Sequence, residues 1–376
     1  MAGGGWQVMQ DAIVFAEFNH QGGERDGSEF VSPNWWMGMA ERKTPRGTVT
    51  LTGILSLDPA TVGRDGYREI FQSGEALDGR PIVDRQHPHD FFMQLGATWR
   101  IPMTDRTGLT LTGAPVGEPA LGPVAFMHRA SAVDNPAAPL GHHTFDSTHI
   151  SFGVVTAAID HGPWTIEGSL FNGREPDDKR WNVDVGRLDS FSGRVWFSPT
   201  AAWEFQSSSG RLREPEALEP GNVIRSTASA SWTRPSGANV SAVTLAYGRN
   251  DTDHGARNAV LIEAARRRNL NTVYGRFEAL QVETALLGRG QMSEELAADI
   301  RDRVYALTIG GVRDVIDAAG LKGGFGADVT FYRTPDSLTS AYGGHPVSFH
   351  LFFRLQPKSG MMGAMWNMRM GHAMSR

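Results

Sequence analysis

The stretch Phe91–Ile101 alternates apolar and polar residues, and this pattern strongly limits what the chain can form. Apolar side chains fill every second position from Phe91 to Ile101, and Gln94, Thr98 and Arg100 lie between them. A period of two residues indicates a β-strand, because successive side chains of a strand point to opposite faces. One such strand is ordinary in a soluble sandwich. Many of them, joined by long loops on one side only, are typical of a membrane-spanning β-barrel.

Sixteen segments with this alternation can be counted along the chain, and the number is even. They are predicted at residues 8–19, 31–42, 48–57, 91–102, 108–114, 149–159, 164–172, 190–198, 202–209, 223–233, 240–248, 258–266, 271–283, 304–313, 324–332 and 346–355. The connections alternate between short turns, such as 43–47, and long loops, such as 58–90 and 115–148. Short periplasmic turns and long extracellular loops produce this asymmetry. The sequence therefore predicts an all-β fold, a closed antiparallel transmembrane β-barrel of about 16 strands.

One barrel accounts for nearly the whole chain. Residues 1–357 are assigned to the outer-membrane barrel and residues 358–376 to a Met-rich C-terminal tail. We expect loops 58–90 and 115–148 to fold into the lumen, because the second is rich in apolar residues and in prolines that lack a backbone donor. A barrel of this kind must be exported, and no signal peptide precedes Trp6. We therefore expect that the true start lies upstream or that the signal has been removed.

The composition excludes several functional classes. Lys and Arg total 36 against 41 Asp and Glu, so the chain has no basic footprint for nucleic acid. The absence of cysteine excludes disulfides and thiolate chemistry. The apolar runs reach only strand length, so no transmembrane helix is predicted. The 44 glycines and 10 tryptophans fit a sheet with many turns and aromatic girdles.

The residues with chemical potential are concentrated in the two longest loops. Six of the 12 histidines lie between His87 and His149, with carboxylates among them. If both loops meet in the lumen, these groups form a constriction that titrates between about pH 5 and 8. The predicted constriction or binding residues are Asp84, Arg85, His87, His89, Asp90, Arg100, Glu118, His128, Arg129, His142, His143, Asp146 and His149.

Imidazoles among carboxylates are common ligands of zinc, copper and nickel. The candidate metal ligands in the loops are His87, His89, His142 and His143; those in the tail are Met365, Met368, Met370 and His372. The loop spacings match no fixed metal motif, and the same groups can hydrogen-bond one another and hold the loops in place. The tail methionines, which would select Cu(I), also fit an amphipathic segment on the membrane. Copper or another divalent metal is therefore a possible cofactor, and none is assigned.

An enzymatic reading is the less favoured one. An Asp–His pair in the loop 84–90 could activate water or a serine such as Ser147. No GxSxG elbow accompanies these residues, and no catalytic residue is assigned.

Four segments resemble a family of functionally uncharacterised bacterial outer-membrane β-barrel proteins. They read DRQHPHDFF (84–92), PVGEPALGPVAFMHR (115–129), LGHHTFDSTHISFGV (140–154) and FNGREPD (171–177), and the resemblance spans about residues 19–233. Members of the family are often encoded near copper or other heavy-metal resistance genes. The resemblance implies a barrel in the bacterial outer membrane with some link to metal handling, and it supplies no catalytic residues.

These observations together predict a porin-like pore or passive transporter for metal ions or small polar solutes. A barrel of this strand number is wide enough for an aqueous channel unless loops fill it. The alternatives are a sealed barrel that binds metal as an accessory of copper resistance, and a surface hydrolase that uses the His/Asp loops. The expected partners are outer-membrane lipid, the outer-membrane assembly machinery and a small solute or metal ion; the oligomeric state is left open.

Overall fold

The computed structural model describes residues 5–237, 239–253, 255–289 and 301–358. In this part of the chain the strands are β1 (Gln7–Gln21), β2 (Gly27–Val31), β3 (Asn34–Thr44), β4 (Gly47–Leu55), β5 (Tyr67–Leu77), β6 (Arg80–Gln86), β7 (Phe92–Thr104), β8 (Thr107–Gly117), β9 (Ser151–His161), β10 (Trp164–Phe171), β11 (Ser190–Thr200), β12 (Trp203–Arg213), β13 (Asn222–Ser236), β14 (Asn239–Thr252), β15 (Gly255–Arg268), β16 (Asn271–Glu283), β17 (Arg301–Ala318), β18 (Leu321–Arg333) and β19 (Val347–Pro357). Short helices are α1 (Asp58–Thr61), α2 (His142–Phe145), α3 (Thr284–Arg289) and α4 (Thr339–Tyr342), and 3-10 turns cover Phe126–His128, Ser147–His149 and Asp336–Leu338. None of these described helices is long and apolar enough to cross a membrane.

The strands form one closed antiparallel barrel. Each wall strand pairs with the next along the chain, and β1 pairs with β19 to close the ring. Both β2 and β3 pair with β1, at residues 17–21 and 7–14 respectively, so together they form one interrupted wall strand. The β5–β6 hairpin forms a separate two-stranded sheet. The wall therefore contains 16 strands, and the predicted closed all-β barrel is confirmed.

The interruption between β2 and β3 falls at Ser32–Pro33. Proline has no backbone N–H, so it cannot donate to a ladder, although the Pro33 carbonyl still accepts from the backbone N–H of Phe15 at 3.0 Å. Helix α1 supports the break from the side. The Asp58 carboxylate accepts from the backbone N–H of Asn34 at 2.9 Å, and the Thr61 carbonyl accepts from that of Ser32 at 3.1 Å.

Burial along the wall strands is the reverse of that in a soluble protein. On β10, Ile166 is 61% exposed, whereas its neighbour Glu167 is 4% exposed. Apolar side chains point outward in the same way on the other wall strands, and serine, threonine and charged side chains point inward. An apolar outer surface is stable only in an apolar solvent, so the outer face of the barrel is a lipid-contacting surface. Aromatic rings flank this surface near the short turns, where Trp164 stacks on Phe197 with centroids 4.3 Å apart.

The connection between β8 and β9 lies inside the ring of strands, and we call residues 118–150 the internal segment. Its backbone N–H groups donate to inward-facing hydroxyls on separate strands, from Ala120 to Ser169 of β10 at 2.7 Å and from Gly122 to Ser208 of β12 at 2.9 Å. The Ser131 hydroxyl reaches further around the wall, 2.8 Å from that of Thr244 on β14. A segment that touches the inner faces of strands spread around the barrel occupies the lumen.

Candidate functional site

The internal segment is held to the wall by buried ion pairs. The Arg129 guanidinium donates to Glu263 of β15 and to Asp146, at 2.6 Å in each case. Asp134 pairs with Arg267 of β15 at 3.0 Å and also with Arg354 of β19. Because removal of one partner leaves an uncompensated buried charge, pairs of this kind resist displacement of the segment.

Glu118, at the start of the internal segment, pairs with Arg194 of β11 at 2.9 Å. Burial raises the pKa of Glu118 to about 7, although Arg194 opposes that shift. The polar faces of the strands predict that charged groups such as Arg194 line the lumen, whereas Glu263 was not identified. Their signal was a charge on the polar face of an alternating strand, which a barrel turns into its lumen.

Asp146 organises the middle of the site. It follows α2, and its Oδ2 accepts from the backbone N–H of Phe126 at 3.0 Å as well as from Arg129. Its Oδ1 lies 2.7 Å from Nδ1 of His142. Burial would raise the pKa of this carboxyl, but Arg129 and the hydrogen bond with His142 outweigh burial and hold the pKa well below its usual range. Asp146 is therefore a fixed anion within the internal segment.

Four buried imidazoles gather beside Asp146, and we call His87, His89, His142 and His149 the histidine cluster. Ring centroids are 5.2 Å apart for His142 and His149, 5.6 Å for His89 and His149, and 6.1 Å for His87 and His142. The cluster joins two distant stretches of chain, because two rings come from the loop before β7 and two from the internal segment. The structure thus brings together all four loop histidines predicted as metal ligands, since the ring of His143 also lies 5.2 Å from that of His87, and it adds His149.

Each ring of the cluster is held through Nδ1. Nδ1 of His89 lies 2.7 Å from Asp58, and Nδ1 of His142 lies 2.7 Å from Asp146. The backbone carbonyls of Asp146 and Pro88 are 2.8 Å and 3.2 Å from Nδ1 of His149 and His87, respectively. The opposite nitrogen, Nε2, is buried on all four rings and has no hydrogen-bond partner among the described residues.

Burial lowers the pKa of His87 and of His149 well below the usual value, and it lowers the pKa of His142 despite the attraction of Asp146. His128, whose ring lies 4.7 Å from that of Trp35, has a pKa of about 4, chiefly because it is buried. These imidazoles are neutral near pH 7. The expected titration between pH 5 and 8 therefore shifts to more acidic pH for these histidines.

His143 lies at the edge of the histidine cluster, with its ring centroid 5.2 Å from that of His87 and 5.3 Å from that of His142. Its Nδ1 lies 3.1 Å from Glu175, and this carboxylate raises the pKa of His143 even though burial acts in the opposite direction. The ring lines a cavity of about 60 Å³ together with Glu75, Glu216 and Arg257. His143 therefore belongs to a charged pocket beside the internal segment.

The remaining predicted residues are spread over other contacts. Asp84 accepts from Arg25 at 2.6 Å, and Arg85 donates to Glu29 at 3.1 Å. Asp84 and Arg85 both lie on β6, and Glu29 lies on β2. Neither contact involves the histidines, so Asp84 does not form an Asp–His pair with them.

Asp90 and Arg100 also have partners elsewhere. Asp90 lies 3.3 Å from Arg180, and burial raises the pKa of Asp90 to about 8 against the effect of that guanidinium. Arg100 pairs with Asp160 at 2.9 Å, near the short turn between β7 and β8, and not with the internal segment.

The Ser147 hydroxyl accepts from Arg225 at 2.8 Å. The geometry does not assemble the serine, histidine and aspartate of the hydrolase alternative. The tail candidates Met365, Met368, Met370 and His372 lie outside the described residues.

Asp58 is the residue of the site that the sequence did not indicate. It lies in α1 and reaches both the strand break and His89, which is 31 positions away in the chain. An Asp–Pro pair after a strand predicts a turn or helix start, and nothing in the pattern connects it with a histidine.

The inward-facing side chains of the wall are covered. Arg354 and Ser348 of β19 are 0% exposed and Glu263 is 1% exposed. Side chains that line a water-filled channel keep contact with water. At Arg354 and Glu263 the internal segment has replaced that water, through Asp134 and Arg129.

No family model matches the chain, and no curated protein matches it. Several solved structures are similar to the chain. OprB of Pseudomonas putida at high pH is similar with a TM-score of 0.58 and 9% identity, and 94% of each chain is covered. An anion-selective porin from Comamonas acidovorans is similar with a TM-score of 0.52 and 11% identity, and the match covers 94% of this chain and 100% of the porin. A loop-deletion mutant of OmpT, an outer membrane protein of Vibrio cholerae, is similar with a TM-score of 0.52 and 8% identity. The match covers 93% of this chain and 99% of the OmpT mutant.

Identities this low establish the fold alone. That fold agrees with the outward apolar surface found independently from burial. The chain is a closed antiparallel β-barrel with a lipid-contacting outer face, and its fold is similar to that of bacterial outer-membrane porins.

Proposed function

We propose that this barrel is a narrow, normally closed passage for small polar solutes or ions, and that the internal segment closes it. The observation that carries the proposal is the near-zero exposure of inward-facing residues such as Arg354 and Glu263. A barrel of this strand number would otherwise enclose an aqueous channel. The internal segment thus decides whether anything passes.

Buried ion pairs stabilise the closed arrangement of the internal segment. The contacts Arg129–Glu263 and Asp134–Arg267 bind the segment to the wall with fully buried charges. Breaking one partner of such a pair typically destabilises a protein by about 3–5 kcal/mol. Spontaneous opening is therefore rare, and conduction is expected as infrequent events of small size.

Planar-bilayer recordings test this proposal. Purified wild-type protein should give rare, small current steps. Replacement of residues 120–138 by a short Gly/Ser linker should give large, steady ohmic channels. Replacement of the exposed Arg64, which pairs with Asp78 at the surface, should leave the recordings unchanged. Large steady currents from the wild-type protein would contradict the proposal, as would unchanged currents after removal of 120–138.

The solute class is also part of the proposal. Reversal potentials in gradients of KCl and of ZnCl₂ measure whether the residual current carries metal ions. Insertion by the outer-membrane assembly machinery is expected, since the barrel carries the lipid-facing surface of such proteins.

A second candidate function is a sealed barrel that holds a metal ion. The unpartnered Nε2 atoms of the histidine cluster favour it. Conduction and metal content are measured separately, so the two candidates can be told apart.

A further inference from the structure

We propose that the histidine cluster is a metal site that binds one divalent first-row ion, such as Zn²⁺, through Nε2 of His89, His142 and His149, with His87 as the fourth ligand. The ion would join the loop before β7 to the internal segment and hold the closure in place. This inference rests on the second candidate function, and it adds the ligands, the ion class and the role.

Four buried nitrogens without partners in one place need an explanation. A buried polar atom that makes no hydrogen bond costs about 1–3 kcal/mol, and native proteins contain few of them. The Nε2 atoms of His89, His142 and His149 are all of this kind. Nε2 of His87 lies 3.3 Å from Glu75 without hydrogen-bond geometry. One ligand shared by these atoms removes all four penalties at once.

The hydrogen bonds at Nδ1 fix which nitrogen is free to coordinate. Nδ1 of each ring faces a group that can only accept: the anionic carboxylates of Asp58 and Asp146, or the carbonyls of Pro88 and Asp146. A neutral imidazole must therefore carry its proton on Nδ1, which leaves a lone pair on Nε2. Metal-bound histidines show the same arrangement, with the other ring nitrogen donating to a carboxylate or backbone carbonyl.

Three of the ring pairs in the histidine cluster have a spacing close to what one ion requires. Imidazoles that share a tetrahedral ion at about 2 Å from each nitrogen have ring centroids roughly 5 Å apart. The pairs His142–His149 and His89–His149 are 5.2 Å and 5.6 Å apart, and His87–His142 is 6.1 Å. As the rings stand in the described part of the chain, no group of three or more histidine, aspartate or glutamate side chains is placed to hold a metal ion. Coordination therefore requires the histidine rings to move closer together than they are in this structure.

The ligand set decides the ion class. Four neutral nitrogens suit Zn²⁺, Cu²⁺ or Ni²⁺ and disfavour Mg²⁺ and Ca²⁺, which take oxygen ligands. No thiolate is present in the chain to select a softer ion. The Phe126 ring lies 5.4 Å from that of His142 and 6.2 Å from that of His89, so the site has an apolar side. Enclosure inside the barrel indicates a resident ion that exchanges slowly.

The direct test is metal content. Tag-free protein is refolded in detergent with Zn²⁺, passed over a desalting column and measured by elemental analysis. We expect one Zn²⁺ per chain in the wild type and in His161→Ala, a variant that removes an exposed histidine at the β9–β10 turn. We expect none in His89→Ala/His142→Ala or in His149→Ala. Asp58→Asn keeps an oxygen that can accept from the backbone N–H of Asn34 but removes the charge that orients His89, and it should weaken affinity about 10–100-fold.

Two further measurements keep the test decisive. Folding of every variant is checked by heat-dependent migration on SDS gels; if the alanine variants do not fold, His89→Gln and His149→Gln replace them. Wild-type protein loaded with Co²⁺ reports ligand geometry directly, because tetrahedral nitrogen coordination gives intense visible absorption bands. Loss of that spectrum in the glutamine variants would support the site.

Three results would overturn the inference. The first is wild-type protein that retains no Zn²⁺ and gives no tetrahedral Co²⁺ spectrum, in which case trapped water satisfies the nitrogens. The second is full retention after the cluster histidines are replaced, which keeps the second candidate function but moves its site. The third is loss of the bound ion only when the chain is truncated after Lys358, which would assign the metal to the tail.

Discussion

The Arg129 guanidinium donates from Nε to Oε1 of Glu263 at 2.6 Å, and both side chains are almost completely buried. Arg129 belongs to the internal segment and Glu263 to β15. The same guanidinium reaches Asp146, which in turn holds His142. One side chain thus connects the barrel wall to the histidine cluster, so we expect a substitution at either end to disturb the contacts at the other.

Replacement of Arg129 should be strongly destabilising. Arg129→Met leaves Glu263 and Asp146 buried without their main cation, and the free energy of unfolding should fall by about 3–5 kcal/mol. Urea unfolding in detergent, followed by tryptophan fluorescence, measures it. Addition of Glu263→Gln should recover part of the loss, and Arg64→Ala should behave as the wild type. An Arg129→Met variant as stable as the wild type would show that the pair contributes little.

A glycine on β14 makes room for the internal segment. A Cβ on Gly248 would lie 2.5 Å from the carbonyl oxygen of Thr144 and 2.9 Å from the Phe145 ring. Gly248→Ala should therefore push α2 away from the wall, with larger bilayer currents and faster hydrogen exchange over residues 142–149. Gly113→Ala is the matched control, since nothing lies within 4 Å of its added Cβ. Equal currents from both variants would show that α2 does not close the lumen.

Glu118 contributes to the pH dependence of the free energy of unfolding. Burial raises the pKa of Glu118 to about 7 in the folded protein, above the value of 4.5 in an unfolded chain. The folded state therefore binds this proton more tightly, and the resulting stability is complete below about pH 4.5 and is lost as the pH rises through 7. Glu118→Gln should flatten this part of the profile in urea midpoints measured from pH 4 to 8. Parallel profiles for variant and wild type would show that Glu118 does not carry this component.

The outer surface should reject charge at mid-strand. Leu245 of β14 points outward and is 47% exposed to the surrounding solvent, which here is lipid. Leu245→Arg should cost about 2–4 kcal/mol in lipid vesicles. The control is Val185→Arg in the outer connection between β10 and β11, where the side chain is 94% exposed and the change should be small. Similar small effects at both positions would argue against a lipid-facing β14.

The wall was predictable because its signal is local. Alternation depends only on neighbouring residues, so all 16 wall strands were located within a few positions. Met93 belongs to the apolar face of the alternation in Phe91–Ile101, yet it is buried inside the barrel. The β4–β7 ladder shifts register between Ile54 and Leu55, and the extra residue on β7 reverses the facing of the strand there. Bulges of this kind arise from strand pairing, which alternation does not encode.

The β5–β6 hairpin was missed for a related reason. Phe71 and Glu75 have positive φ values of 69° and 60°, and the hairpin register shifts twice. These irregularities remove the period-two pattern from the sequence. The hairpin was therefore treated as part of a long loop.

The candidate site was only partly predictable. Histidines in two loops suggested a meeting point, but neighbouring residues on a helix diverge, so His142 turns to Asp146 and His143 to Glu175. His149 meets His142 although α2 ends at Phe145 and His149 lies in the separate 3-10 turn Ser147–His149, so no helical spacing in the sequence indicates this contact. The role of Asp58 depends on a long-range contact that no local pattern contains.

The path of the chain has a consequence for how the molecule is made. Arg129 meets Glu263 across 134 positions, and Asp134 meets Arg354 across 220. Arg354 lies on β19, the strand that closes the ring against β1. Contacts so distant in sequence form late, after the chain between them has been ordered. We therefore expect the internal segment to enter before the ring closes, and not to fill a finished cylinder afterwards. The strand that closes the ring would then also bring Arg354, one of the anchors of the segment.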